Sequence, residues 1–164
     1  MKPEYFVTID MMQFLKTGKF DCIEPGQDKQ WILNNFPDPD GLAREEALKK
    51  RKNDIWQYGD FEFHFSHDQL QMVYADYWRC LDGGGHIRLM HWMTDQPVTL
   101  HQMMQALNRE RMDFSVRTLT KTACVCLSLP ASGVELGFSD VSQNPQHTDS
   151  NGWQWLSLAW RGRV

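Results

Sequence analysis

Hydrophobic and polar residues alternate with a period of two along a central segment of the chain, IWQYGDFEFHFSHDQLQMVYADYW at 55–78. Successive side chains of a β-strand point to opposite faces, so FEFHF at 61–65 directs its three phenylalanines one way and its glutamate and histidine the other. Residues 58–60 and 66–69 interrupt this alternation with Gly, Asp and Ser, which are typical of tight turns. The segment therefore predicts consecutive antiparallel strands that form a meander, with one face on a core and one that can meet water.

A different spacing, in which apolar residues recur every three or four positions, predicts helices elsewhere. One helix is expected over 5–15 and is closed by Gly18, and another over 26–36 has Trp31, Ile32 and Phe36 on its buried side. The PDPDG stretch at 37–41 ends the second helix, because each proline disfavours helix in the residue before it. Residues 42–52 are highly charged and are compatible with either a short helix or an exposed loop.

The second half of the chain repeats this order. A helix is predicted within 97–114, where Thr99 is a good N-cap and Gln102 has capping-box spacing. Further strands are predicted at 122–129, 133–139 and 152–160, after a strand at 86–93 that closes the meander of the first half.

Two short segments are also alike in sequence: FEFHFSHD at 61–68 aligns with VELGFSDV at 134–141, sharing Glu, Phe and Ser. We therefore predict an α+β fold with one antiparallel sheet built from two tandem helix-plus-meander units, with the helices packed on one face. The first unit spans 1–95 and the second 96–164, and together they form one continuous domain.

Composition and charge restrict the classes of function. The 164 residues carry a net charge of -4 with a pI near 5.8, which argues against a basic nucleic-acid-binding surface. No apolar run approaches the roughly 18–20 residues of a membrane span, and the N-terminal sequence does not have the apolar core of a signal peptide. The four cysteines form no metal-binding or redox pattern, so a reducing, cytoplasmic location is expected.

The strand pair DIWQYGDFEFHF resembles a group of small bacterial proteins without an established activity, which carry an I-W-x-Y-G-D-x-E-x-H-F motif after a helix and a Pro-Asp turn. The resemblance covers roughly residues 20–78, and it departs where members usually begin the helix with Gly-Met and this chain has PGQDKQ. More distantly, the tandem layout is similar to β-lactamase-inhibitor proteins and small outer-membrane assembly lipoproteins. Both of these are binding modules, and the likeness concerns architecture alone.

Candidate chemistry is sparse, and we predict no catalytic set, no metal site and no cofactor. His64 and His67 are three residues apart, so they point to opposite faces of a strand and do not form a ligand set. Cys80 and His86 are not accompanied by an oxyanion signature. The DGGGH stretch at 82–86 precedes a predicted strand, whereas a phosphate cradle requires a following helix.

Aromatic and acidic residues therefore provide the leading functional signal. Tyr and Trp dominate interface hot spots, and we predict a partner-binding surface formed by Trp56, Tyr58, Asp60, Tyr74 and Asp76. The adjacent Tyr77 and Trp78 cannot both face a core.

The predicted function is a non-enzymatic protein-binding module, an immunity or inhibitor protein for a basic toxin or enzyme. The alternatives are a small-molecule-binding protein or enzyme, with Glu62, His64 and Tyr74 lining a pocket between helices and sheet, and a subunit that forms a homodimer through an exposed sheet edge.

Overall fold

The computed structural model of this chain describes residues 6–41, 54–76, 80–119, 124–140 and 152–162. The segment 42–52, for which either a short helix or a loop was predicted, lies outside the described residues, as does the pair Tyr77 and Trp78. Within the described ranges the chain forms three helices, α1 (Met11–Thr17), α2 (Lys29–Asn35) and α3 (Leu100–Arg109). Its strands are β1 (Val7–Asp10), β2 (Ile55–Tyr58), β3 (Phe61–Ser66), β4 (Gln69–Asp76), β5 (Ile87–Met90), β6 (Ser115–Leu119), β7 (Cys124–Leu129), β8 (Val134–Asp140) and β9 (Trp153–Trp160).

Seven of these strands form one antiparallel sheet in the order β2-β3-β4-β9-β8-β7-β6. The centre of the sheet is the pairing of β4 with β9, where Val73 lies opposite Trp160 and Tyr74 opposite Ala159. This pairing joins strands from the first and second halves of the chain. The predicted α+β class with an antiparallel sheet is confirmed.

The alternation along β3 is also confirmed. Phe61, Phe63 and Phe65 are buried, whereas Glu62 and His64 between them are only partly buried. Both predicted turns are present, at 59–60 and 67–68. The first needs glycine, since Gly59 has a φ of +57°.

Aromatic side chains from the sheet and from the segments that flank it form the centre of the core. The ring of Phe20 contacts the rings of Phe61 and Phe63 edge-on, at centroid distances of 5.3 and 5.9 Å. Phe14 of α1 contacts Trp160 of β9 in the same manner at 5.4 Å. Edge-to-face rings add favourable quadrupole interactions to the burial of their surface. Inward side chains of α1, of α2 and of α3 belong to this same cluster.

The prediction of one helix over 5–15 is wrong in its first half. Residues Val7–Asp10 form β1, which pairs in parallel with β5 as a separate two-stranded sheet. β-Branched residues favour a strand here, and Val7 and Ile9 alternate as its buried positions. The helix starts only at Met11, because the Asp10 side chain caps it by accepting a hydrogen bond from the Gln13 amide at 3.1 Å.

Two further expectations about the strands are corrected. The strand predicted at 86–93 is shorter, β5, and it pairs with β1 instead of continuing the meander. The sheet also contains β6, which was not predicted because SVRTL follows a helical pattern without a glycine or proline between them.

Of the two later helices, α3 begins as predicted, whereas α2 begins at Lys29, inside the predicted range 26–36. Thr99 and Gln102 form a reciprocal capping box at the start of α3, and Leu100, Met103 and Leu107 are buried. Asp28 caps α2 by accepting from the amides of Gln30 and Trp31. Contrary to the prediction, Trp31 does not lie on the buried side of α2, since it is 40% exposed.

Three sequence stretches that looked unrelated meet in a loop cluster formed by Asp40, the Gly59-Asp60 turn and residues 82–85. The Asp40 carboxylate accepts hydrogen bonds from the amides of Gly59 at 2.9 Å and Gly85 at 3.1 Å. Asp60 and Asp82 are linked twice: the Asp60 amide donates to the Asp82 carbonyl, and the Asp82 amide donates to the Asp60 carboxylate. The acidic PDPDG turn therefore holds the β2–β3 hairpin in place.

Two glycine substitutions test how tightly the loop cluster is packed. Gly84 and Gly26 both have positive φ, so an alanine at either site costs roughly 1–2 kcal/mol. A Cβ at Gly84 would also collide with the Asp40 carboxylate and the Gly59 backbone, whereas nothing lies within 4 Å at Gly26. We expect Gly84→Ala to lower the free energy of unfolding by about 1–3 kcal/mol more than Gly26→Ala, as measured by urea denaturation. Equal losses would contradict a tightly packed cluster.

Candidate functional site

Two of the five predicted surface residues, Trp56 and Tyr58, lie inside the protein. Trp56 is 5% exposed and packs on the ring of Phe65 at 4.5 Å, and Tyr58 is fully buried. The Tyr58 hydroxyl donates to the carbonyl of Pro37 at 2.9 Å, which satisfies its only polar group. The register of β2 against β3 places both side chains opposite inward phenylalanines, so the expectation that they lie on a partner surface is corrected.

Asp60 does not join the remaining residues either. Its carboxylate accepts the Asp82 amide at 2.7 Å within the loop cluster. This contact fixes the turn between β2 and β3, and it gives Asp60 a structural role.

Tyr74 and Asp76 do lie together on the outward face of β4. The Tyr74 hydroxyl donates to Asp76 Oδ1 at 2.8 Å. Partial burial raises the pKa of Tyr74, and the hydrogen bond and charge of Asp76 raise it further, while Ser157 opposes the shift. The phenol therefore stays protonated and available as a donor over the physiological range.

Glu62 and His64 of β3 complete a cluster around Tyr74. Their side chains are one-third exposed or less, and His64 Nε2 lies 2.8 Å from Glu62 Oε2. The His64 ring meets the Tyr74 ring edge-on at 6.2 Å, and Glu62 is directly opposite Tyr74 in the strand register. We call Glu62, His64, Tyr74 and Asp76 the aromatic–acidic patch. It points away from the aromatic core, so these residues do not line the predicted pocket between helices and sheet.

The same outward face continues across the sheet to a second charged group. Glu135 of β8 accepts from Arg161 Nη1 at 3.3 Å and from the Ser128 hydroxyl at 3.4 Å, and Arg117 lies 4.0 Å away. One row crosses the sheet from Glu62 through Tyr74 and Ala159 to Glu135. The two glutamates of the aligned segments thus lie at matching places on one surface.

The arrangement offers oriented hydrogen-bonding groups, an aromatic ring and two carboxylates to a molecule that contacts the sheet. Within the described ranges, no group of three or more His, Cys, Asp or Glu side chains is placed to hold a metal ion. In the same part of the chain, no helix is long and apolar enough to cross a membrane.

A cavity of about 610 Å³ lies apart from the patch, beside the end of α1. Its floor is formed by Ile23 and Trp160, and its rim includes the charged residues Lys19, Glu24 and Arg161. Sequence reasoning missed it, because its walls come from α1, the 19–25 loop, Ser132 and the end of β9. No local pattern brings these segments together.

All four cysteines are described, and none of them forms a disulfide. Cys22 has the most altered thiol: burial raises its pKa to about 11, assisted by a hydrogen bond and the negative charge of Asp21. The neutral thiol is the favoured form in the folded protein, so Cys22 is poorly suited to be a nucleophile at neutral pH.

Comparisons with known proteins give no assignment of family. No family model, no curated protein and no solved structure matches this chain.

The Cys22 environment predicts a specific pH dependence. Burial raises the pKa of this thiol from its ordinary value of 9.0 to about 11 in the folded protein. The neutral Cys22 thiol therefore adds to the free energy of unfolding in full below pH 9.0. This contribution is lost as the pH rises through the folded-state pKa of about 11. We expect the rate of Cys22 alkylation, followed by peptide mass spectrometry, to have its midpoint at about pH 11. Asp21→Asn should lower this midpoint.

Cys80 serves as the control in the same sample. Its pKa is raised by burial and by Asp95, Asp82 and Asp60, so Asp21→Asn should leave its alkylation profile unchanged. Parallel shifts at both cysteines would contradict a local effect of Asp21.

Proposed function

We propose that this chain is a non-enzymatic protein-binding module that contacts its partner through the aromatic–acidic patch. The partner we propose is a basic toxin or enzyme, which the chain would neutralise as an immunity or inhibitor protein. The observation that carries this proposal is the hydrogen-bonded group of Tyr74, Asp76, Glu62 and His64 on the outward face of the sheet.

Preorganisation is the first physical argument for binding. Tyr74 is held by Asp76, and His64 is held by Glu62, so these side chains lose little conformational freedom when a partner docks. Tyrosine provides a large contact area with a polar end and is frequent among interface hot spots. Because the patch lies on two adjacent strands that are each paired on both sides, the sheet itself supports its geometry.

Charge favours a basic partner. The patch contains two carboxylates and no lysine or arginine, and the whole chain carries a net charge of -4. Complementary potentials accelerate encounter and select against acidic proteins. The group around Glu135, which includes Arg117 and Arg161, has the opposite balance, so we place it outside the surface that contacts a basic partner.

We also propose that the sheet consists of two duplicated helix-plus-meander units with their helices on one face. The support is a matching contact at the start of β4 and of β9, the last strand that each unit contributes to the seven-stranded sheet. The Leu70 amide donates to the carbonyl of Gln27, and the Trp155 amide donates to that of Val98. Each acceptor lies just before the N-terminus of a helix, α2 in the first unit and α3 in the second.

A matched pair of variants tests the binding surface. Glu62→Gln and Glu135→Gln remove the same charge from equivalent places in one row, at side-chain exposures of 33% and 38%. In affinity capture from the source organism, we expect a single stoichiometric basic protein to bind the wild type and Glu135→Gln but to be lost with Tyr74→Ala combined with Glu62→Gln. With the purified partner, Tyr74→Ala should weaken the affinity by about 30-fold, or about 2 kcal/mol.

Circular dichroism and thermal unfolding of each variant exclude loss of fold as the cause. Equal binding by all variants would refute the patch as the contact surface, and a partner of acidic character would refute the electrostatic argument. An affinity that does not fall between 50 mM and 500 mM NaCl would do the same, because exposed charge pairs are screened by salt.

The cavity beside α1 supports a second candidate function, the binding of a small molecule. Its volume of about 610 Å³ is within the range of ligand sites. Its lining includes Lys19 and Arg161 together with the acidic residues Asp21 and Glu24, so an anionic group of a ligand would contact Lys19.

A screen of small carboxylates and phosphates by ligand-observed NMR tests this alternative. A hit that Lys19→Ala abolishes and that Glu62→Gln leaves unchanged would favour it. The absence of any hit would leave the protein-binding proposal unopposed.

A further inference from the structure

Strand β6 forms an unprotected edge of the seven-stranded sheet. All five of its residues are exposed, and it pairs with β7 alone. In the described part of the chain, no backbone hydrogen bond reaches its outer side. An edge strand of this kind presents a row of free amide and carbonyl groups to any extended segment that approaches it.

The sequence of β6, SVRTL, has few of the features that keep sheet edges apart. It contains no proline, no glycine and no lysine, and its register against β7 is continuous without a bulge. Its single charge, Arg117, is 67% exposed on the outward face of the sheet and lies near Glu135. It does not point to the inward side, where a charge would oppose the addition of another strand.

On its inward side, β6 leaves apolar surface at the end of the core exposed to solvent. Val116 lies directly opposite Leu127, which is fully buried, yet Val116 itself is 43% exposed. An added strand with an apolar residue beside Val116 would extend the row formed by Leu127 and Val116, and it would remove apolar surface from water.

The opposite edge of the sheet is different, because the chain covers part of it. The amides of Asp40 and Gly41 both donate to the carbonyl of Gln57 on β2, at 2.8 and 3.4 Å. A second molecule therefore cannot pair along β2 without breaking these bonds. This disfavours association of β6 with β2 of another copy, which would continue into a filament. Association of β6 with β6 instead ends after two molecules.

We propose that the chain forms a homodimer in which β6 pairs antiparallel with β6 of a second copy around a two-fold axis at Val116. In this register Val116 lies opposite its own copy on the core side, Ser115 lies opposite Arg117, and Phe114 lies opposite Thr118. A register centred on Arg117 would instead place two like charges directly opposite each other, which is destabilising. The proposal is independent of the proposed partner surface, because the aromatic–acidic patch is on β3 and β4.

The dimer should be weak. A pair of five-residue strands buries less than the roughly 1,200 Å² of a stable interface, so dimers form in a concentration-dependent manner. Each copy keeps its outward face accessible, and the pair presents two patches to partners.

Analytical ultracentrifugation of wild type, Val116→Lys and Ile55→Lys tests the proposal. Both variants place a lysine at an exposed apolar residue of an edge strand, 43% exposed on β6 and 45% exposed on β2. We expect the wild type and Ile55→Lys to shift from monomer to dimer between about 10 µM and 1 mM, and Val116→Lys to remain monomeric, because an edge lysine opposes strand addition. A monomeric wild type at 1 mM, or a dimer that Val116→Lys leaves intact, would overturn it.

Hydrogen exchange of the wild type provides a readout that does not depend on a variant. Amides of 115–119 should exchange more slowly at high than at low protein concentration, whereas those of 55–58 should not change. Protection that increases at 55–58, or on the aromatic–acidic patch alone, would assign the dimer to another surface and refute pairing through β6.

Discussion

Antiparallel pairing of β4 with β9 makes one sheet from strands that belong to the two halves of the chain. Val73 meets Trp160 and Tyr74 meets Ala159 in this pairing, so one side of it completes the aromatic core and the other completes the outward surface. The row from Glu62 to Glu135 exists only because these two strands are neighbours. Without this contact each half would have an exposed edge at β4 or β9. The inward side chains of these two strands, such as Val73 and Trp160, would also lose neighbours in the core.

The inward and outward faces of the sheet have different physical roles. Inward positions of the sheet carry most of its large aromatic residues. Two of them, Phe61 and Phe63, meet the ring of Phe20 edge-on. Outward positions carry charged and hydroxyl side chains that are paired with one another, such as Tyr74 with Asp76 and Glu135 with Arg161. Such pairs contribute little to stability at an exposed surface, but they fix the directions of groups that a second molecule can use.

The loop cluster shows how acidic residues can support a fold. Asp40, Asp60 and Asp82 each accept backbone amides, which satisfies donors that a tight turn leaves unpaired. In the sequence these three aspartates lie in separate stretches. In the folded chain their carboxylate oxygens accept amides at the end of the β2–β3 hairpin. Asp60 therefore stabilises a turn, whereas Tyr74 and Asp76 lie on the outward face of the sheet.

The sequence alone determined the features that depend on neighbouring residues. These are the alternation of phenylalanines in β3, the turns that flank it, the capping box of α3 and the α+β class, because side-chain periodicity and capping act over a few positions. Tertiary structure decided the rest. Val7–Asp10 became a strand because Ile87–Met90, far along the chain, was available to pair with it. Trp56 and Tyr58 were buried because the register of β2 against β3 turned them inward. Only the order of strands brought Glu62, His64, Tyr74 and Asp76 together, since no local rule specifies which strands become neighbours.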